Sequence, residues 1–176
     1  MSYAKLDSEV IRVGLCTDCG NCAAVCPDKC LVMNYETELP QLVHECSPNC
    51  ELCYESCPGK DIPMPDLDQM VFGRQRVHAH EELLGINQGF AKCYAADPAV
   101  RDKGAGGGFV SALLLYALEN KLIDGAVVVG MNQELPWRIE PKIATTREEV
   151  MSTTSTKENL VPVNAILREA VERGFD

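Results

Sequence analysis

Nine of the ten cysteines in this 176-residue chain lie between residues 16 and 57, in two related blocks. The first block has the spacing C-x2-C-x2-C-x3-C followed by proline, and the second repeats this order with one extra residue between its first two cysteines. Three thiolates on one short loop can bind three irons of a cubic cluster, while the fourth cysteine binds an iron of the neighbouring cluster. The two blocks therefore predict a pair of 4Fe-4S clusters, which carry electrons one at a time.

The two predicted clusters share the blocks crosswise. The fourth cysteine of each block, Cys26 or Cys57, binds the cluster held by the other block. The predicted ligands are Cys16, Cys19, Cys22 and Cys57 for cluster one, and Cys46, Cys50, Cys53 and Cys26 for cluster two. Because Pro48 and Asn49 lie within the longer spacing from Cys46 to Cys50, we expect a one-residue bulge there.

Zinc is the alternative metal for closely spaced cysteines. A zinc ion takes four ligands, and closed zinc sites usually come as two C-x2-C pairs. Eight cysteines in two quartets that end in Cys-Pro fit that arrangement poorly, and soft thiolate ligands also suit iron–sulfur clusters. Two cysteines remain, Cys30 beside a strand-like run and Cys93 in an extended apolar run, and we predict that both are buried free thiols.

The composition argues against several functions. A net charge of −10 and a pI near 4.8 oppose binding to nucleic acids, which depends on Lys and Arg neutralising phosphates. The first residues show no basic segment followed by an apolar one, and no stretch reaches the roughly 18 apolar residues that a membrane-spanning helix needs. We therefore expect a cytoplasmic chain without a membrane span, whose cysteines bind metal rather than form disulfides.

The elements that must position these cysteines divide the chain into three parts. Residues 1–58 form the cluster module, residues 59–87 read as a connector with little periodicity, and residues 88–176 form a more regular domain. In this last part we predict a helix over 109–120, with Val110, Leu113, Leu114 and Ala117 at the spacing of one apolar helix face. We also predict a strand over 126–131 buried on both faces, a strand over 138–145 and a helix over 160–173. A helix followed by a buried strand is typical of α/β domains.

A glycine-rich loop precedes the first of these helices. Gly104, Gly106, Gly107 and Gly108 lie directly before it, and backbone amides at such a helix start can face a phosphate or a cofactor ring. The alternative is that the glycines only make a tight, closely packed turn. The spacing matches neither the G-x-G-x-x-G nucleotide-binding pattern nor a phosphate-binding loop with its Lys and Ser or Thr.

Several segments together resemble one family. After the two cysteine blocks come Tyr94, Asp97 and Arg101, then the runs GAGGGFVSALL and ALENKLIDGAVVVG and, as a looser match, STKENLVPVN. Over nearly the whole chain this arrangement resembles the beta subunits of coenzyme F420 hydrogenases and F420-dependent formate dehydrogenases. The chain has three glycines at 106–108 where that family often has Ser-Gly-Gly, and the family's C-terminal half with its GxPCQ-like loop is not in the sequence.

The resemblance implies an α+β ferredoxin-like two-cluster module followed by a partial α/β flavin-type domain. It also implies FAD, which would convert hydride exchange with F420 or a similar two-electron carrier into single electrons for the clusters. By position, the residues at the flavin would be Gly106, Gly107, Gly108, Ser111, Ser155, Lys157 and Asn164. A partner chain would then complete the flavin pocket.

Two functions remain open at this point. In the first, the chain is the electron-transfer subunit of a flavin-linked oxidoreductase complex, with a hydrogenase, a formate dehydrogenase or similar redox subunits as partners. In the second, it is a non-enzymatic ferredoxin-type carrier or docking subunit without flavin. The sequence leaves open whether the chain alone is catalytic, and the choice of F420 rests on resemblance alone.

Overall fold

The computed structural model describes residues 2–175, which form two compact units. The larger unit joins the stretch that ends at Lys60 with the stretch that begins at Tyr94, and the smaller unit is Asp61–Cys93. The cysteine blocks and the glycine loop therefore belong to the same unit, although the whole of the smaller unit lies between them in the sequence.

The first stretch of the larger unit surrounds its cysteines with short elements. They are α1 (Ser2–Leu6), a π-helical turn (Asp7–Ile11), α2 (Asn21–Val25), β1 (Leu31–Asn34), β2 (Leu39–Leu42) and α3 (Leu52–Glu55). The strands β1 and β2 form an antiparallel hairpin that pairs Leu31 with Leu42, so the predicted strand-like run is confirmed. Leu6, Val10 and Leu31 form a buried core together with four cysteines, which are Cys22, Cys26, Cys30 and Cys53.

The smaller unit contains two helices, α4 (Met64–Phe72) and α5 (Ala79–Leu84). Each helix carries one buried carboxylate that is paired with an arginine: Asp68 of α4 with Arg76, and Glu81 of α5 with Arg74. Apolar periodicity is weak in this stretch because ion pairs organise it. For that reason the sequence predicted only a connector here.

Acid should weaken the smaller unit through Glu81. Its carboxylate is bound by Arg74 and also accepts hydrogen bonds from the amides of Val77 and His78, which hold the pKa of Glu81 well below its usual range. Since the pKa in the folded state lies below the unfolded value of about 4.3, the stabilisation is complete above that pH and is lost as the pH falls through the folded pKa.

Replacing Glu81→Gln is therefore expected to destabilise the unit at neutral pH and to reduce the dependence of its stability on acid. The measurement is urea unfolding followed by far-UV circular dichroism at several pH values, with Glu82→Gln at an exposed neighbouring carboxylate as the matched control. Equal acid sensitivity in wild type and Glu81→Gln would contradict this role of Glu81.

The second stretch of the larger unit follows the smaller unit in the sequence. It contains α6 (Pro98–Lys103), a glycine turn (Ala105–Gly108), α7 (Phe109–Glu119), β3 (Ala126–Met131), β4 (Ile139–Ala144), α8 (Arg147–Ser152), a 3-10 turn (Val163–Ile166) and α9 (Leu167–Glu172). The predicted positions of α7, β3 and β4 are confirmed. The predicted helix over 160–173 is shorter, because the chain enters it through Pro162 and the 3-10 turn.

Two predicted burial patterns are wrong. Strands β3 and β4 pair antiparallel, and Val127 and Met131 of β3 are exposed, so this strand is not buried on both faces. On α7 the core side is Leu115 with its half-buried neighbours, whereas Val110 and Leu113, which were expected to face the core, are 67% and 54% exposed. The described chain is an α+β protein with short antiparallel sheets.

Within residues 2–175, no helix has both the length and the apolar composition needed to cross a membrane.

Candidate iron–sulfur and flavin sites

Four cysteines line one recess in the larger unit. They are Cys16, Cys19, Cys22 and Cys57, the set that the crosswise pattern predicts for cluster one. Gly20, with a φ of 80°, turns the chain between Cys19 and α2, so that Cys22 lies in the first turn of that helix. Cys57 follows α3 and reaches the recess from the second block. The fold thus gathers side chains from both ends of the cysteine-rich stretch.

The environment of the recess suits a cationic group that binds thiolate ligands. Burial, together with the neighbouring Cys19, Cys16 and Cys57, raises the pKa of Cys22 to about 12, and burial also raises the pKa of Cys16. Four thiolates here would repel one another unless a cationic core balanced them, as iron does in a cluster. The amides of Asp18 and Ala23 donate to the sulfurs of Cys16 and Cys22.

The four cysteine sulfurs that hold a cubic cluster each bind a different iron, so these sulfurs need not converge on one point. Across residues 2–175, no three Cys, His, Asp or Glu side chains converge in the way that a single metal ion requires.

Three of the four ligands predicted for cluster two lie in or beside the buried core of the larger unit. Cys26 and Cys53 are each 5% exposed within the same core, and Cys46 packs against its edge. The sulfur of Cys30 lies 3.2 Å from that of Cys26 and 3.4 Å from that of Cys46, so it connects two predicted ligands. Cys50 is half-buried in the loop before α3.

The predicted burial of the two remaining cysteines is confirmed for one and wrong for the other. Cys30 is 1% exposed, which confirms its predicted burial, but its contact with two predicted ligands was not foreseen. Cys93 is exposed, and the prediction that it is buried is wrong because the run around it forms no strand.

Several hydrogen bonds stabilise the sulfur of Cys26 as a thiolate. Burial acts to raise its pKa, but the Cys30 thiol and the amides of Leu31, Cys30 and Asp28 donate hydrogen bonds to this sulfur and lower the pKa below its ordinary value. Amides that point at a ligand sulfur are among the features that set cluster potentials.

The C-terminal segment packs directly onto the first cysteine block. The amide of Asn164 donates to the carbonyl oxygen of Cys19 at 2.9 Å. A Cβ added at Gly20 would lie 2.8 Å from the amide nitrogen of Ala165, so only glycine permits this approach. Asn164, which was predicted to contact the flavin, therefore lies beside a predicted cluster ligand.

Arg168 of α9 holds the end of α2. Its guanidinium donates to the carbonyl oxygens of Ala23 at 2.6 Å, Ala24 at 2.7 Å and Cys26. These carbonyls end the short helix that carries Cys22, and a cation is favourable at such an end. Arg168 could not be identified from the sequence, because one arginine on a helix carries no local signal of a contact about 144 residues away.

The glycine turn separates into open and packed positions. Gly106, Gly107 and Gly108 have φ values of 58°, 78° and 71°. A Cβ at Gly107 would lie 3.0 Å from the Cβ of Tyr94, and one at Gly108 would lie 2.5 Å from the carbonyl oxygen of Val100, whereas one at Gly106 would meet no atom within 4 Å. Close packing thus accounts for two of these glycines, and Gly106 faces open space.

The other residues predicted at the flavin lie in two places. Ser111 is half-buried in the first turn of α7. Lys157 donates to the carbonyl oxygens of Thr153 at 2.7 Å and Thr154 at 2.9 Å, lies 3.3 Å from the hydroxyl of Ser155, and has its pKa lowered by burial. Among the described residues, no hydrogen bond joins Ser155, Lys157 or Asn164 to the glycine turn.

The family-like residues before the glycine turn have structural contacts. Arg101 stacks on Tyr94 at 4.7 Å and donates to the carbonyl oxygen of Ala95. Asp97 caps α6 and forms an ion pair with Arg147 of α8 at 2.8 Å. These contacts fix the glycine turn relative to α8.

An aromatic cavity of about 290 Å³ adjoins the cysteine recess. Tyr35 and Trp137 line it, and Met33 lines both this cavity and the recess. Arg138 stacks on Tyr35 at 4.7 Å and donates to its carbonyl oxygen. Trp137 is 77% exposed.

Comparisons with known proteins agree with the resemblance. Residues 90–168 match the family described as coenzyme F420 hydrogenase/dehydrogenase, beta subunit N-term. The chain is 31% identical to the coenzyme F420-dependent sulfite reductase of Methanocaldococcus jannaschii over 96% of its own length, and 30% identical to one component of the F420H2 dehydrogenase of Methanosarcina mazei over 94%. It spans only 23% and 45% of the lengths of these relatives.

A solved structure is also similar. It is the F420-reducing NiFe hydrogenase complex from Methanosarcina barkeri, with 36% identity over 47% of this chain and 28% of that chain, and a TM-score of 0.44. On these sequence matches, residues 90–168 belong to the family described as coenzyme F420 hydrogenase/dehydrogenase, beta subunit N-term.

Proposed function

We propose that the chain is the electron-transfer subunit of a flavin-linked oxidoreductase complex. It passes single electrons through two 4Fe-4S clusters, between an FAD that exchanges hydride with F420 or a similar carrier and the redox centres of partner subunits. The observation that carries this proposal is the recess that Cys16, Cys19, Cys22 and Cys57 line together.

The chain's own residues would perform three tasks. The recess cysteines would hold the first cluster as thiolates, while the amides of Asp18 and Ala23 donate to two of their sulfurs. Burial in the apolar core excludes water from Cys22 and Cys26. Arg168 holds the carbonyls at the end of α2, which fixes the position of both cysteines.

FAD, when bound, supplies the conversion between a two-electron hydride and single electrons. Gly106 fits a neighbouring ligand because it faces open space, and the aromatic cavity beside Met33 would suit a flat ring. Asn164 is one of the residues proposed at the flavin, and its amide donates to the carbonyl oxygen of Cys19, so this hydrogen bond would connect the flavin to the first cluster. F420 is proposed as the carrier because the names of both relatives contain it.

A second candidate is a ferredoxin-type carrier or docking subunit without flavin. It is favoured by the close packing of Gly107 against Tyr94 and of Gly108 against Val100, which explains these glycines without a cofactor. The hydrogen bonds of Lys157 also favour a function without flavin, since its ammonium group already binds the carbonyl oxygens that follow α8.

Cofactor content distinguishes these functions. The chain is purified without oxygen, together with the proteins that accompany it, and iron, acid-labile sulfide and FAD are measured per chain. About eight irons with bound FAD are expected for the flavin-linked subunit. About eight irons without FAD would favour the carrier, and about four or fewer in fresh material would contradict the two-cluster proposal.

A further inference from the structure

Cys30 lies inside the second predicted ligand set. Its sulfur is 3.2 Å from that of Cys26 and 3.4 Å from that of Cys46, and its side chain is 1% exposed. Its carbonyl oxygen accepts a hydrogen bond from the amide of Val43 at 2.9 Å, which ties it to the hairpin of β1 and β2. Three sulfurs thus lie side by side where the crosswise pattern requires two.

The loop that carries Cys46 is the irregular part of the motif. It has one residue more than the corresponding loop of the first block, and Asn49 within it has a φ of 66°. Cys46 itself is only half-buried. Cys30, by contrast, is held in the core beside a strand, so its sulfur has the more rigid support.

Cys26 is the better fixed of the two neighbours. The amides of Asp28, Cys30 and Leu31 donate to its sulfur, and its side chain is 5% exposed. The ligand that Cys30 can most readily replace is therefore Cys46.

We propose that Cys30 is a reserve ligand of the second cluster, able to bind the iron that Cys46 binds when Cys46 is displaced or absent. The proposal rests on the proposed function, since it requires that cluster. In the exchange the bond between iron and the Cys46 sulfur breaks and one between iron and the Cys30 sulfur forms. The proton of the Cys30 thiol passes to the Cys46 sulfur when Cys46 is displaced, and to water when Cys46 is absent. In both cases charge balances and no electron is transferred.

The test compares Cys46→Ser, Cys30→Ser and the double variant, with Cys93→Ser as the matched control at an exposed cysteine. Each full chain is purified without oxygen, and iron, acid-labile sulfide and the electron paramagnetic resonance spectrum after reduction are recorded. We expect about eight irons in each single variant, with a changed signal from one cluster in Cys46→Ser. The double variant should retain about four, and these would show that the chain still folds around the first cluster.

Either of two results would overturn the proposal. Loss of about four irons from Cys46→Ser alone would mean that Cys30 does not substitute, and about eight irons in the double variant would mean that neither cysteine is needed. The wild-type chain separates these results from failure of the proposed function, because that failure appears as fewer than about eight irons before any cysteine is changed.

Discussion

Replacing Cys22→Ser is expected to halve the iron bound by the chain, from about eight to about four atoms. Cys22 is 9% exposed and lies with Cys16, Cys19 and Cys57 around one recess. Serine offers a hard hydroxyl that ionises far less readily than a thiol, so it leaves one iron without a suitable ligand. The second cluster should remain, because its predicted ligands lie elsewhere in the core.

The measurement is iron and acid-labile sulfide per chain, with electron paramagnetic resonance to count the reducible clusters. Cys93→Ser is the matched control, since Cys93 is exposed and is not a predicted ligand, and it should keep all of its iron. Full iron content in Cys22→Ser would show that this recess holds no cluster, and equal loss in both variants would point to a general effect of removing a thiol.

The recess could be predicted from the sequence because the spacing of its cysteines is local and is repeated. Once two blocks share this order of cysteines and differ by only one residue, crosswise binding requires Cys57 to come close to Cys16, and the structure brings them to one recess. The bounds of α7, β3 and β4 were also predictable, because the apolar patterns of helices and strands depend on residues that are close together in the sequence.

Contacts between distant parts of the chain could not be predicted in this way. Arg168 reaches the carbonyl oxygens of Ala23 and Cys26, and nothing near it in the sequence indicates that partner. The face of α7 was predicted incorrectly because the helix is apolar on several sides, so periodicity alone did not identify the side with Leu115 as the buried one. Tertiary packing decided both features.

Replacing Gly108→Ala is expected to lower the stability of the larger unit by about 3 kcal/mol or more, which corresponds to a fall in melting temperature of about 6 °C or more. The φ of 71° is in the left-handed region, which costs a residue with a side chain about 1–2 kcal/mol. The added Cβ would also lie 2.5 Å from the carbonyl oxygen of Val100, so the backbone of α6 must shift.

Gly106→Ala is the matched control, because Gly106 has a similar φ of 58° but its added Cβ would meet no atom within 4 Å. It should lose only the left-handed cost of about 1–2 kcal/mol. Anaerobic thermal unfolding compares the two variants, and flavin content is measured on the same samples. Equal melting temperatures would contradict the packing role of Gly108, while normal FAD binding in Gly106→Ala would remove Gly106 from the proposed flavin contacts.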